Sequence, residues 1–458
     1  MTTSNFTDQI ARAASQPIAA DPAVSDRLRL LLFDYLAIVR AGAASESSAA
    51  VHRAIAAEGG SGSSLVDGTD RWESAQQAAL ANGTSAHSLE LDDTHEPSST
   101  HPGVALWPAL IALADQENVT VRRLLDAAIV GYDIIAAAGT LLGASESYER
   151  GFHPTGVVGA VGAAAACAHL LGLDERHTRD SVAIAAGLAA GSLEFLSDGS
   201  WTKRLNAGAA AATGVRAARL GQAGFVAPAT AIEGRDGWLR LYGHGASGRT
   251  FDHGVGSGVL GTSFKLYACC RYMHGAIDLL REVHAERPGL LPEDVESVDI
   301  AVIEAGQSLV SSPPARKVII ETPVDAQFSM PFGAAVALTR GRPRLRDFDE
   351  APAVASDLRD WLPKMRSYTS PVVEAAFPDS WQAEVTVRFA SGEILERRCS
   401  AFRGSPALPP SWDDLIEKES ELIGGESARR LRDEILALGP DMTWHHVADR
   451  LRKASAPA

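Results

Sequence analysis

Cysteine is scarce in this 458-residue chain, with four residues, Cys167, Cys269, Cys270 and Cys399, and none at metal-ligand spacing. Neighbouring Cys269 and Cys270 are badly placed to bridge each other, so the pattern suits a reducing compartment and predicts a cytoplasmic protein. Positive charge is short as well. Lys and Arg number 42 against 57 Asp and Glu, a net charge of −15 that argues against nucleic acid or an anionic membrane surface as a partner. The opening MTTSNFTDQIARAASQ has no basic stretch followed by an apolar one, and no uninterrupted apolar run reaches membrane-spanning length. Neither secretion nor membrane insertion is expected. Internal repeats, low-complexity tracts and long linkers are missing, as are a G-x-S-x-G elbow, a P-loop and an H-E-x-x-H pair. Gly256-x-Gly258-x-x-Gly261 matches the dinucleotide fingerprint only as a string. No predicted strand precedes it and no βαβ unit surrounds it.

What is present is an ordinary globular composition, 46% apolar and 22% charged, long enough for two or three domains. Apolar residues recur at helical spacing over residues 24–39, 47–57, 74–80, 104–114 and 119–142, with Gly143 placed to end the last. Within that last helix Asp126, Tyr132 and Asp133 interrupt an apolar surface. Residues 157–171, 177–191 and 206–220 are helices so rich in Ala and Gly that close helix–helix approach is expected. Residues 1–262 therefore read as one large all-helical domain. After Gly261 the period changes: Val298, Ile300 and Val302 alternate, 318–320 is a short strand candidate ended by Thr322-Pro323, and Val385, Val387 and Phe389 alternate again. Ser391-Gly392 then turns into a second strand at 394–398, with helices at 271–286 and 332–339 between. Residues 263–399 thus form a smaller α+β domain, and 400–458 return to amphipathic helix that packs back on the first domain. The fold class is mainly α.

The densest polar stretch runs over residues 81–108, ANGTSAHSLELDDTHEPSSTHPGVALWP, between two apolar helices. It gathers His87, His95 and His101 with Glu90, Asp92, Asp93, Glu96 and Thr94. Chemistry presented by a rigid scaffold fits it. A solvated turn also fits, since Asp93, Ser98, Ser99 and Thr100 are ordinary N-cap and turn formers. His87, Asp92, Asp93 and His95 are the right residue types for a divalent metal, but their spacing matches no closed metal motif, so no metal is expected. His101-Pro102-Gly103 opens a helix whose exposed amides favour anions. Arg150-Gly151-Phe152-His153-Pro154-Thr155-Gly156 repeats the design. A third polar insertion, Ser197 to Arg204, puts Lys203 and Arg204 at a helix entry against the dipole preference, a breach that points to function. Lys265 sits at the domain boundary, where clefts form, with His274 shortly after it as either a site or a packed core residue. Such an inventory suits moving a proton at carbon next to the carboxylate of a small polyanion, with cations stabilising the charge that builds up.

Taken together, Ala86-His87-x-x-x-x-Asp92-Asp93-Thr94, His101-Pro102-Gly103, Gly151-Phe152-His153, Asp198-Gly199-Ser200 with Lys203-Arg204, and Phe264-Lys265 with Cys269-Cys270 resemble the MmgE/PrpD superfamily. Its members dehydrate 2-methylcitrate, decarboxylate cis-aconitate or epimerise iminodisuccinate. The resemblance runs from about residue 20 to 400 and implies an all-α domain with an inserted α+β lid, a homodimer, and a site between the domains that needs no cofactor. It implies His101, His153, Lys203 and Lys265 as catalytic residues, and Glu90, Asp93, Thr94 and Arg204 as substrate-binding ones. Glu90 stands where decarboxylase-like members carry Asp, and Asn206 where many carry His. The function implied is a cofactor-independent, hydratase/dehydratase-like lyase acting on a small di- or tricarboxylate. An epimerase of an amino- or imino-dicarboxylate and a cis-aconitate-type decarboxylase are the alternatives.

Overall fold

A computed structural model describes residues 5–19, 21–245, 247–377 and 380–456. Helix accounts for 60% of it and strand for 8%, so the fold is mainly α. The chain divides into two compact units: Met1–Phe195, Trp201–Thr262 and Ser411–Ala458 form the first, and Leu196–Ser200 with Ser263–Pro410 the second.

The first unit is built of helices that begin where side chains cap them. Ser74 accepts from the Gln77 amide to start Ala75–Ala86, Thr120 from Arg123 to start Val121–Leu142, and Asp174 from His177 to start Glu175–Leu188. Small residues set how closely they pack. A β-carbon on Gly208, in Thr202–Gln222, would lie 2.3 Å from the Leu80 carbonyl oxygen, and one on Gly214 would lie 2.4 Å from Ala163 Cβ. The Ala/Gly composition is therefore a packing requirement as well as a helix propensity. Two helices, Val121–Leu142 and Pro154–Leu171, are long and apolar enough on average to cross a membrane, although neither is an uninterrupted apolar run. The difference lies in Tyr132, Asp133 and similar breaks, which interrupt a strict apolar run without lowering the helix average much. Both lie inside this unit, with 83% and 89% of their most apolar windows buried.

The glycine string has a structural purpose. Asp133 accepts from the amides of Gly256 at 2.7 Å and Gly258 at 2.8 Å. A β-carbon on Gly258 would meet the Tyr132 carbonyl oxygen at 2.3 Å. The spacing binds a buried carboxylate rather than a pyrophosphate. The tail, read as one amphipathic stretch over 412–453, is three helices, Trp412–Ile423, Gly425–Leu436 and Trp444–Ala454. Gly424, at φ +86°, ends the first in a backbone conformation that favours glycine.

The second unit holds a four-stranded sheet in the order Met365–Tyr368, Val295–Ala301, Ala383–Phe389, Ile394–Cys399. The first pair is parallel, with Val298 opposite Met365, and the other two are antiparallel. Inward positions of Ala383–Phe389 alternate with half-buried ones, as the period-two pattern requires. Helices His274–Glu286 and Met330–Arg340 complete the core. The expected strand at 318–320 is not formed. Thr322-Pro323 starts a helix instead: Thr322 caps Pro323–Gln327 and Asp325 reaches back to the Thr322 amide at 2.9 Å.

Candidate active site

The loop between helices Ala75–Ala86 and Pro102–Glu117 is buried, which decides between the two readings of its composition. His87, Glu90, Asp92, Asp93, Thr94, His95, Ser98 and Thr100 are each no more than 7% exposed. Polar groups withdrawn from water need partners, and the partners define the site.

Asp92 is the clamp. Its Oδ2 lies 2.9 Å from His87 Nδ1 and 3.1 Å from His101 Nδ1. The same His101 nitrogen is 2.8 Å from the Asp93 carbonyl oxygen and 3.2 Å from Thr94 Oγ1. A carbonyl and a carboxylate only accept, so these partners place the hydrogen on Nδ1 of His101 and leave the lone pair on Nε2. His101 precedes Pro102 at the N-terminal end of its helix, and its own amide donates to Thr155 Oγ1 at 3.1 Å.

His153 stands at the N-terminus of Pro154–Leu171 and is held by its amide, which donates to the Gly191 carbonyl at 3.1 Å. Its ring stacks on His87 with centroids 5.8 Å apart and an interplanar angle of 15°, while Phe195 meets its edge at 6.0 Å. The Asn206 amide nitrogen donates to the Ser192 carbonyl at 3.3 Å and lies 3.5 Å from His153 Nδ1. That orientation makes Nδ1 an acceptor and puts the hydrogen of neutral His153 on Nε2. Asn206 thus sets the tautomer of neutral His153.

His87, between the two, is 5.0 Å from His101 ring to ring. Burial pushes its pKa well below the ordinary histidine range; Asp92 opposes this and Lys203 adds to it. It is a neutral spacer whose Nε2 is buried without a hydrogen-bond partner among the described residues. Lys203, on the first turn of Thr202–Gln222, forms an ion pair with Glu90. Glu90 holds φ +55°, a left-handed backbone that non-glycine residues seldom adopt. The unfavourable placement of a cation at a helix start is offset by this carboxylate, aimed at it by a strained turn.

Asp93 is hydrogen-bonded at both carboxylate oxygens. Expected among the substrate-binding residues, it accepts from the Gly103 amide at 2.9 Å and the Tyr132 hydroxyl at 2.6 Å. Trp107 Nε1 donates to that hydroxyl at 3.1 Å, so Asp93 braces the loop from beneath. Burial raises its pKa to about 7, against the lowering effect of both hydrogen bonds. Arg204 donates to Ser47 Oγ at 3.0 Å. Lys265 is fully buried and belongs to the second unit, as does His274, whose ring packs 5.0 Å from Tyr267 as a core residue.

His87, Asp92 and Asn206 supply more of the geometry than the site expectation gave them. The signal in the sequence was the His87-x-x-x-x-Asp92 spacing. Of the metal candidates, His87 and Asp92 come together with His101, their ligand atoms within 4.8 Å, while His95 turns to Ser98 Oγ at 2.8 Å. His87 Nδ1 and His101 Nδ1 both face Asp92 Oδ2, and His101 Nδ1 also faces the Asp93 carbonyl, so the trio forms a hydrogen-bonded fork.

Family models match nearly the whole chain: the MmgE/PrpD N-terminal domain over residues 8–249 and the MmgE/PrpD C-terminal domain over 267–438. A cis-aconitate decarboxylase-like protein of Aspergillus oryzae is 27% identical over 444 residues, 91% of this chain and 90% of that protein. The cis-aconitate decarboxylase of Aspergillus terreus is 28% identical over 369 residues, covering 76% and 74%. That of Homo sapiens is 27% identical over 352 residues, covering 74% and 71%.

Proposed function

The chain belongs to the MmgE/PrpD family and is a lyase-type enzyme; from that premise we propose that it moves a proton at carbon next to a carboxylate of a small di- or tricarboxylate. The observation that carries the proposal is two histidines flanking a buried third, His101 with Nδ1 against the Asp93 carbonyl and His153 with Nδ1 facing the Asn206 amide nitrogen, partners that favour opposite neutral tautomers. His101 offers a lone pair at Nε2 and His153 a hydrogen at Nε2. A base and an acid on one cluster, neither needing an extra proton at neutral pH, suit elimination. In dehydration, His101 takes the proton from carbon and the electron pair forms the double bond. The C–O bond breaks as that double bond forms, and hydroxide leaves as water with the His153 hydrogen. Each positioned group contributes about 10²–10⁴ in rate. Lys203 holds a substrate carboxylate and stabilises the charge that builds on it, with Glu90, Asp93, Thr94 and Arg204 completing the binding set.

A second reading, decarboxylation of a cis-aconitate-type acid, is favoured by the names of the relatives. There the C–CO₂ bond breaks, its electron pair stays on carbon, and an imidazole supplies the proton that quenches it. Incubating the enzyme with citrate-like, aconitate-like and aspartate-derived acids in deuterated water, followed by proton NMR, separates the cases. A dehydratase yields an unsaturated acid, a decarboxylase releases CO₂ and labels the new C–H position, and an epimerase labels recovered substrate. Turnover unchanged after dialysis against EDTA is part of the proposal, as are a homodimer in sedimentation and a cytoplasmic location. Folded protein that leaves every acid unlabelled and unconverted would remove the lyase reading.

A further inference from the structure

A cluster of deeply buried ionisable groups in the first unit takes no part in the chemistry above. Lys418 Nζ, on helix Trp412–Ile423, lies 2.5 Å from Asp34 Oδ1, on helix Pro22–Gly42, and 3.5 Å from Glu419 Oε1. All three side chains are no more than 3% exposed. Removing ions from water costs several kcal/mol each, roughly, and an apolar trio of the same volume often serves stability as well or better. A buried triad of this kind therefore calls for a purpose beyond packing.

Its third contact supplies one. Lys418 Nζ also donates to the Leu91 carbonyl at 2.9 Å. Leu91 sits between Glu90, with its left-handed backbone and its ion pair to Lys203, and Asp92, which clamps His87 and His101. The link is also spatial: Asp34, Asp92, Asp93 and Gly103 line one small cavity. Burial, reinforced by the Asp34 charge and opposed by Lys418, raises Glu419 well above the carboxylate range and keeps it a neutral acid. Burial disfavours the charged form of Lys418, but the facing Asp34 carboxylate opposes it and the ammonium is held above its ordinary range. The ammonium keeps a hydrogen for the Leu91 carbonyl because Asp34 takes only part of its donor capacity.

We propose that Lys418 is a positioning residue of the active site, fixing through the Leu91 carbonyl the backbone from which Glu90 reaches Lys203 and Asp92 orients His87 and His101. The inference rests on the proposed proton-transfer function for its kinetic consequence, but its structural consequence is read without substrate.

The test is the ring ¹⁵N spectrum of the histidines in the full-length protein, with kinetics beside it. In wild type, His101 shows the Nδ1–H tautomer. Lys418→Met is expected to move the His101 and His87 ring signals and to lower kcat about 100-fold, the scale of a catalytic group displaced by an ångström. KM should change less than about threefold, since no substrate contact is removed. Glu419→Gln, which keeps a neutral hydrogen-bonding group beside Lys418, should leave ring signals and kcat near wild type. If Lys418→Met does not fold, Lys418→Arg takes its place; it keeps the charge but not the reach, and should shift the same ring signals and lower kcat. A folded Lys418→Met or Lys418→Arg with wild-type ring signals and wild-type kcat overturns the proposal. Ring signals that shift while no acid is turned over by wild type would sink the lyase reading and leave the positioning role standing.

Discussion

Nδ1 of His101 lies 2.8 Å from the carbonyl oxygen of Asp93, an atom that only accepts. That contact turns a histidine of either tautomer into one with its basic nitrogen directed away from the loop. His101→Gln removes the base while its amide can keep a donor toward the carbonyl. Turnover should fall by about 10³-fold, within the range of a lost general base, and thermal unfolding should stay within a few degrees of wild type. Full activity in the variant would strike His101 from the mechanism.

Asn206 makes the matching prediction for His153. Its amide nitrogen faces His153 Nδ1 at 3.5 Å and is fixed by the Ser192 carbonyl. Asn206→Asp puts an acceptor where the donor was, so Nδ1 takes the hydrogen and Nε2 loses it in the neutral ring. The expected result is a loss of about 10-fold or more in kcat with a smaller change in KM, because the group altered is an acid and not a binding contact. Asn206→Leu, which removes the donor without reversing it, should cost less. An Asp variant as fast as wild type would detach the tautomer of His153 from catalysis.

Much of the scaffold was legible before the structure. Apolar spacing marks helices over 104–114 and 119–142, Gly143 ends the second, and Val385, Val387 and Phe389 mark a strand by alternation alone. These are local patterns, and local patterns are what a linear reading detects. The helix at Thr322-Pro323 was misread because Thr-Pro closes a strand and opens a helix equally well until Asp325 is seen to complete the cap. The site was legible as a set of residue types and not as a mechanism. Lys203 meets Glu90 across 113 positions, and Lys418 meets Asp34 across 384, with no period linking them. The bracing role of Asp93 depends on a tyrosine 39 residues away on another helix. Burial of the whole loop, which turns a plausible surface turn into a wired site, comes from packing that no composition states.

His95 supplies a test in acid. Burial holds its pKa down to about 4, against an ordinary value of 6.5. Between those values the unfolded chain binds a proton that the folded chain refuses, so this contribution is complete above pH 6.5 and is lost as the pH falls toward 4. Over that window the shift corresponds to about 3 kcal/mol. His95→Gln, which keeps a hydrogen-bonding group near Ser98, should therefore lose less stability than wild type between pH 7 and pH 4 by urea denaturation. Parallel pH profiles for the two proteins would show that His95 is not held neutral by its surroundings.

Glu90 gives the sharpest test of the cation at the site. Its carboxylate pairs with buried Lys203, so Glu90→Gln takes one charged partner away from an ammonium ion largely withdrawn from water. Breaking a buried pair from one side costs about 3–5 kcal/mol, and the variant should melt well below wild type. The same deficit makes the site more receptive to an added anion. A dicarboxylate such as malonate, at a concentration that barely shifts the wild-type melting temperature, should restore a measurable part of the loss in Glu90→Gln, because ligand bound to the native state stabilises it by mass action. Lys203→Met alone should show no such rescue. Equal malonate shifts in wild type, Glu90→Gln and Lys203→Met would mean that small carboxylates do not bind at this lysine, and the substrate contacts would have to be reassigned.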